Sequence, residues 1–323
     1  MISTGVCESS ADGYTQKDKR KTADKINENA DFNIFFISNS PFGKVYVIYS
    51  IDYHFVFCYN IYLGDKMKAA FHTLGCKVNQ YESQAMAQSL EKQGFIIVDT
   101  SENADVYIIN SCTVTAESDR KTRQAVRKFK KLHPESIVVL TGCMTQAFPE
   151  YGEKLGEADI VIGNKSNRLL SEYINQYING SGRIFAVDMH KTGDAFAGDT
   201  ISTFRERTRA SVKIEDGCNR FCSYCIIPYA RGRVRSKPLE ELKNEIAQLE
   251  KNGFSEIVLV GINLSAYGMG TNENIVDAVK VAASFDGIKR IRLGSLEPDH
   301  ITDEIINGLS RNAGNLYPSA QFL

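Results

Sequence analysis

Cys218-Asn219-Arg220-Phe221-Cys222-Ser223-Tyr224-Cys225 sets three thiols within eight residues, in the pattern CxxxCxxC. Three thiolates at this spacing can grip one metal centre from a single loop. Zinc would ask for a fourth ligand, usually from a second CxxC half-site or a histidine, and neither lies nearby in the sequence. A 4Fe-4S cluster held by three cysteines keeps one iron open to bind something else. Three incidental buried thiols are the ordinary alternative, and this tight spacing argues against it. The chain has eight cysteines in 323 residues, too dilute for a disulfide scaffold, so the thiols of a reducing compartment call for packing or metal binding.

Cys76, Cys112 and Cys143 are scattered, yet each follows a strand candidate, at 69–73, 106–110 and 137–140. All three are thus expected beyond the carboxyl ends of parallel strands, where open α/β sheets build their sites. A lone cysteine is more often a small core residue than a ligand; the shared position at strand ends favours convergence. Cys7 and Cys58 match no pattern and receive no role. Helices are expected at 81–93, stopped by Gly94, and at 118–132, before Pro134, with a further strand at 159–162. Strands alternating with helices predict a doubly wound parallel-sheet α/β domain to about residue 177.

A second βα series follows, with strands at 211–214, 256–260 and 290–293 and helices at 238–251, 275–283 and 301–309. Leu239, Leu242, Ile246 and Leu249 share one helical face, Pro238 sits at the first turn, and Glu240 and Glu241 lie at the positive end of the dipole. The recurrence predicts a partial (βα) barrel, truncated after about three units. Gly261 and Asn263 follow its second strand, and Ser295 and Glu297 end its third, all candidates for the barrel mouth, with plain loop structure as the alternative. The expected organisation is an extension at 1–66, an α/β domain at 67–180, a linker at 181–209 and the incomplete barrel at 210–323.

Composition adds limits. Hydrophobic residues make up 43% and charged residues 24%, as in ordinary globular proteins; collagen, wholesale disorder and small disulfide-bonded secreted folds are excluded. Lys+Arg (38) almost cancels Asp+Glu (39), so a polyanion site must be a local patch. Residues 118–131 hold seven basic residues against one acid, Asp119; a solvated helix face and RNA backbone contact are both open there. Residues 3–31 read as disordered, and 45–63 form the most membrane-like window. Asp52 near its middle costs about 2.5–3.5 kcal/mol on insertion scales, so no membrane partner is expected, the expected location is cytoplasmic, and Met67 is a candidate start.

CNRFCSYC, with Tyr224 before the last cysteine, resembles the CxxxCxxC loop of the radical S-adenosylmethionine (radical SAM) enzymes. Ile226-Ile227-Pro228-Tyr229-Ala230-Arg231-Gly232-Arg233-Val234-Arg235-Ser236 then resembles the methylthiotransferase family of that superfamily. Gly75-Cys76-Lys77-Val78-Asn79-Gln80-Tyr81-Glu82-Ser83 is similar to the branch that modifies N6-threonylcarbamoyladenosine in transfer RNA beside the anticodon. The isopentenyladenosine branch typically reads GCQMN here and the ribosomal-protein branch GCPKN. Asn110-Ser111-Cys112-Thr113-Val114-Thr115 favours the same branch. The resemblance covers about residues 67–311.

The resemblance implies two 4Fe-4S clusters, one on Cys218, Cys222 and Cys225 and one on Cys76, Cys112 and Cys143. In the family the open iron of the first chelates S-adenosylmethionine, whose reductive cleavage yields a 5′-deoxyadenosyl radical; the second carries the sulfur to be transferred. It further implies a tRNA anticodon loop as partner, an electron donor such as flavodoxin or ferredoxin, and a sulfur source. Gly261 and Asn263, with Ser295 and Glu297, become candidate SAM contacts. Arg231, Arg233 and Arg235 become candidate RNA contacts, since alternate spacing would set them on one side of an extended segment. Thr73, Ser111 and Thr113 are expected to cap helices or hydrogen-bond cluster sulfurs. Action on isopentenyladenosine tRNA or a ribosomal protein, and a truncated, non-catalytic fragment that binds clusters or RNA, are the alternatives.

Overall fold

A computed structural model of the chain describes residues 33–38, 44–51, 55–62, 66–196, 200–202, 209–294 and 296–311. The chain divides into two compact units, Met1–Lys66 and Met67–Leu323. In the first, β1 (Asn33–Ser38), β2 (Lys44–Ile51) and β3 (Phe55–Tyr62) form an antiparallel sheet in the order β1-β2-β3. The membrane-like window at 45–63 therefore falls largely on two paired strands, in register from Lys44↔Tyr62 to Ile51↔Phe55. Among the described residues, no helix is long and apolar enough to cross a membrane. The disorder expected at 3–31, and Cys7 and Ser295, lie outside the described residues.

The second unit opens with β4 (Lys68–Thr73), α1 (Lys77–Lys92), β5 (Ile96–Val98), β6 (Val106–Ser111), α2 (Ala116–Leu132) and β7 (Ile137–Gly142). It continues through α3 (Cys143–Ala147), α4 (Pro149–Lys154), β8 (Ile160–Ile162), α5 (Leu170–Ile178) and β9 (Ile184–Ala186). The strands pair in parallel in the order β5-β4-β6-β7-β8-β9. Alternate strand residues supply two cores. Tyr107, Ile109, Val138 and Leu140 pack with Ala125, Val126 and Phe129 of α2; Val106, Ile108, Ile137 and Val139 pack with Met86 and Leu90 of α1 and Ile174 of α5. Buried on both faces, β6 and β7 need apolar residues at every position of their inner span.

Strand order reverses at β4, which has β5 on one side and β6 on the other, a topological switch point of the kind that opens a crevice in doubly wound sheets. β9 belongs to this sheet, so the segment expected to be a linker from 181 begins by adding a strand. Its three residues at the sheet edge, preceded by Gly182 and Arg183, are too short for a visible period.

The second series comprises β10 (Ala210–Lys213), β11 (Glu215–Asp216), α6 (Ile227–Arg231), β12 (Arg235–Ser236), α7 (Leu239–Lys251), β13 (Glu256–Val260), α8 (Ile275–Ala283), β14 (Arg290–Leu293) and α9 (Asp303–Arg311). Among the described residues, β10, β13 and β14 form a three-stranded parallel sheet in that order. Leu242, Ile246 and Leu249 of α7, Val279 of α8 and Ile305 of α9 pack on one face, over Val212, Ile257, Leu259 and Ile291. Val258 and Val260, pointing to the opposite face, meet Val78 of α1. The helix that follows the first strand of one sheet thereby covers part of the other.

Candidate functional site

Cys76 is the residue before α1, Cys112 follows β6 directly, and Cys143 opens α3 at the end of β7. β6 and β7 run in register to Ser111↔Gly142, so Cys112 and Cys143 leave the sheet side by side. Two glycines permit the crowding. Gly75 has φ +99°, and a Cβ there would stand 2.8 Å from Cys112 Cβ and 3.0 Å from its Sγ. Gly142 has φ +102°, and a Cβ would run into the backbone of Ser111. Both conformations suit glycine.

Asn79, one turn into α1, ties the loops together. Its Nδ2 donates to Leu74 O (2.9 Å) and Ser111 O (2.8 Å). Its Oδ1 stands 3.6 Å from Cys76 Sγ and 3.9 Å from Cys143 Sγ. The three scattered cysteines are therefore neighbours, at the switch point. Burial pushes the Cys143 thiol up to about 12, against the pull of Arg231. Of the nearby hydroxyls, Thr73 donates to Ser83 Oγ at 2.7 Å and Ser111 Oγ accepts from Met144 N at 3.1 Å. Thr113 Oγ1 is buried with no partner among the described residues.

The second triad lies in the loop between β11 and β12, whose antiparallel pairing (Glu215↔Ser236, Asp216↔Arg235) draws its ends together. Cys218 N donates to Gly232 O (3.1 Å) and Cys225 N to Cys222 O (2.9 Å). Phe221 adopts φ +49°, uncommon for a residue with a side chain. Its ring carries Arg233 at 4.5 Å. Cys222 is exposed; Cys218 and Cys225 are half-buried. Glu297, beyond β14, faces this loop with its Oε2 3.9 Å from Arg220 Nη1.

The second-strand turn is organised by a residue that the sequence reading passed over. Glu215 Oε2 accepts from Ile262 N and Asn263 N, both at 2.7 Å, beside Gly261, where a Cβ would collide with that oxygen. Glu215 Oε1 and Asn263 Oδ1 are buried without partners among the described residues. Burial raises the Glu215 carboxyl to about 8, so it is largely protonated at neutral pH.

The three arginines are not aligned. Ile227–Arg231 is helical, with Pro228 at its first turn, and this breaks the extended alternation. Arg231 is only 1% exposed. Its Nη1 donates to Glu82 Oε1 (2.8 Å) and Asp216 Oδ1 (3.1 Å), and its Nη2 to Asn79 Oδ1 (2.7 Å) and Glu82 Oε2 (3.1 Å). Lys213 Nζ donates to Glu82 Oε1 (2.8 Å) and Asp216 Oδ2 (2.7 Å), and Arg235 Nη2 to Asp216 Oδ2 (3.2 Å). Arg231 is thus corrected from a surface RNA contact to a buried bridge, Arg235 is mostly turned inward, and Arg233 alone is exposed. Burial opposes the charge on Glu82 and Asp216, but the neighbouring cations outweigh it and hold both carboxyls below their usual range. Asn79 and Glu82 share a helical face at i, i+3, the signal that could have exposed them. A cavity of about 180 Å³ flanks this network, lined by Tyr81, Lys165, Arg168, His190 and Arg235 among others; no cysteine lines it.

Residues 68–163 match the model described as "Uncharacterized protein family UPF0004", and residues 212–312 the Radical SAM superfamily. Threonylcarbamoyladenosine tRNA methylthiotransferase MtaB of Bacillus subtilis (strain 168) is 40% identical over 253 residues, 75% of this chain and 54% of the relative. The chain carries both of these domains and is homologous to methylthiotransferases of the MtaB type. It spans about half the length of the curated relatives it matches. A further methylthiotransferase relative is the tRNA-2-methylthio-N(6)-dimethylallyladenosine synthase of Pseudothermotoga lettingae, 34% identical over 250 residues, 76% of this chain and 57% of the relative. The fold resembles that of the radical S-adenosylmethionine methyltransferase TsrM from Kitasatospora setae (TM-score 0.52, 14% identity, 76% of this chain and 58% of that one).

The Radical SAM match implies SAM and a 4Fe-4S cluster, and the donor set of Cys218, Cys222 and Cys225 fits iron and sulfur. Among the described residues, no three Cys, His, Asp or Glu side chains stand as a set for a single metal ion. A cluster, whose thiolates each bind a different iron, asks for sulfurs farther apart than one ion does. Each triad offers thiols alone, which matches cluster ligation.

Proposed function

We propose that this fold serves tRNA methylthiolation, adding a methylthio group at carbon 2 of N6-threonylcarbamoyladenosine beside the anticodon. Cys218, Cys222 and Cys225 would hold the cluster that binds SAM, and Cys76, Cys112 and Cys143 a second 4Fe-4S cluster. The observation that carries this reading is the gathering of the latter three, from separate strands, around Asn79 and opposite an arginine of the other cysteine loop's helix. Carbon 2 of adenine bears an unactivated hydrogen that side-chain acids and bases cannot remove. When bound, the cofactors supply the radical and the sulfur that this step needs.

The protein's own residues orient these groups. Glu215 fixes the Ile262–Asn263 turn, leaving the Asn263 carboxamide oxygen free to accept from the SAM amino group. Arg233 and the exposed Tyr229 offer charge and an aromatic face to single-stranded RNA, whose bases can be splayed out without breaking a duplex. An anticodon loop is the expected partner, with an electron donor of the flavodoxin or ferredoxin class and a sulfur source; the expected location is cytoplasmic. The relative named for dimethylallyladenosine supports a second reading, in which the same chemistry acts on isopentenyladenosine. Mass spectrometry of nucleosides from tRNA of cells lacking the native activity and supplied with this chain tests both. The 2-methylthio derivative of N6-threonylcarbamoyladenosine is expected. The isopentenyl derivative would move the chain to the second reading, and an iron-loaded chain that neither cleaves SAM nor makes either nucleoside would remove both.

A further inference from the structure

The buried network between the two cysteine triads is not charge-balanced. Lys213, Arg231 and Arg235 face only two carboxylates, Glu82 and Asp216. Burying an uncompensated charge costs several kcal/mol unless a counter-charge lies close by. On the Arg235 side, Lys165 pairs with both Asp188 and Asp194 and so leaves one carboxylate over, but among the described residues that cluster makes no ion pair with Arg231. Glu215 is largely protonated at neutral pH, and the half-buried His190 is held neutral down to about pH 4. Arg231 carries its charge on to Asn79 Oδ1, the atom that also faces Cys76 Sγ and Cys143 Sγ. Arg231 Nε is buried and has no acceptor among the described residues, so its donor capacity is not exhausted by Glu82 and Asp216.

We propose that Arg231 is a positioning residue for a negatively charged centre held by Cys76, Cys112 and Cys143. It locks the Asn79 carboxamide against two of the thiols and supplies the positive charge that Glu82 and Asp216 leave uncompensated. This rests on the two-cluster reading above. Three thiolates on a 4Fe-4S core of charge +2 carry a net −1, which matches the surplus in sign and size. Because α6 follows the other triad in sequence, the same guanidinium also fixes one cysteine loop relative to the other. A cation beside a redox centre favours its reduced, more negative state, so Arg231 should raise the reduction potential of that centre.

The test uses the full chain carrying Cys218→Ala, Cys222→Ala and Cys225→Ala, reconstituted anaerobically with iron and sulfide and titrated electrochemically under EPR. Iron should be present at about four per chain. Adding Arg231→Met should lower the midpoint potential, Arg231→Lys should restore most of the shift, and Glu82→Gln, which removes a negative charge, should move it the opposite way. The opposite signs keep the test decisive: if Arg231→Met fails to hold iron, the upward shift in Glu82→Gln stands alone as support. Iron retained with unchanged potentials would overturn the role of Arg231 and leave the two-cluster reading intact. A triple-cysteine variant without iron would remove the two-cluster reading itself, and the centre that Arg231 serves with it.

Discussion

Cys222 illustrates how the two triads separate at the scale of single residues. It is exposed, and the loop's Cys218 and Asn219 bond to Gly232, Val234 and Met269, none of them in the other triad. Cys222→Ala should therefore abolish 5′-deoxyadenosine formation from SAM while leaving about four irons bound to the remaining site; equal loss of all iron would show that the triads are one site. Glu215 predicts a pH effect. Its carboxyl is raised in the folded chain to about 8 from an ordinary value near 4.5. The folded state thus binds a proton that the unfolded state releases above pH 4.5. The group's contribution is fully present below that pH and is lost as pH rises toward 8, at about 1.4 kcal/mol per unit. Glu215→Gln keeps an acceptor for Ile262 N and Asn263 N without that slope. Urea unfolding should show the variant gaining on the parent between pH 5 and pH 8, and parallel profiles would contradict the assignment.

Among elements, the β6–β7 pair carries the strictest demand. Their last residues, Ser111 and Gly142, are in register and the next residues are Cys112 and Cys143. Gly142→Ala combines a positive φ with a backbone collision and should cost about 1–3 kcal/mol, the range of overpacked substitutions. The urea midpoint and the iron content of the Cys76/Cys112/Cys143 site should fall together. These strands were legible in the sequence because burial on both faces leaves an uninterrupted apolar run. α1 was legible only from Tyr81, whereas it begins at Lys77. Its first turn buries Asn79 as a hydrogen-bonding hub, and a periodicity of apolar residues reads such a position as surface. Arg231 failed for the same reason in reverse: its partner Glu82 lies 149 residues away in the chain, and charge alone pointed outward. The strand-end positions of Cys76, Cys112 and Cys143 were visible because the strands before them are local patterns. The network joining the two cysteine triads depends on Glu82 and Asn79, which are distant in sequence from Lys213 and Arg231, and was not.

On the scale of the whole chain, the halves of Met67–Leu323 are bound by more than the Arg231 network. Lys237 and Glu245 pair while fully buried, Tyr81 OH donates to Glu245 Oε1 at 3.0 Å, and Ile201 N donates to the same oxygen at 3.1 Å. Charges buried this deeply hold only while both partners stay in place. Residues 67–323 should therefore unfold in one cooperative transition, and deleting 1–66 should change neither that transition nor the iron content, as calorimetry and iron analysis of the shortened chain would show. Two separate transitions, or lost iron, would mean that the first unit supports the second.

Solvent reaches the two triads unevenly. Cys76 and Cys222 stand open to it, whereas Cys112 and Cys143 are buried, Cys143 with a thiol that resists ionisation. Sulfenic acid formation and alkylation need an accessible thiolate. In iron-free protein, air and iodoacetamide should thus attack each triad from one outer sulfur, leaving Cys143 for last. Loss of metal-binding capacity on storage would then begin as damage to Cys76 and Cys222, and a reductant added before the inner thiols are reached should recover it.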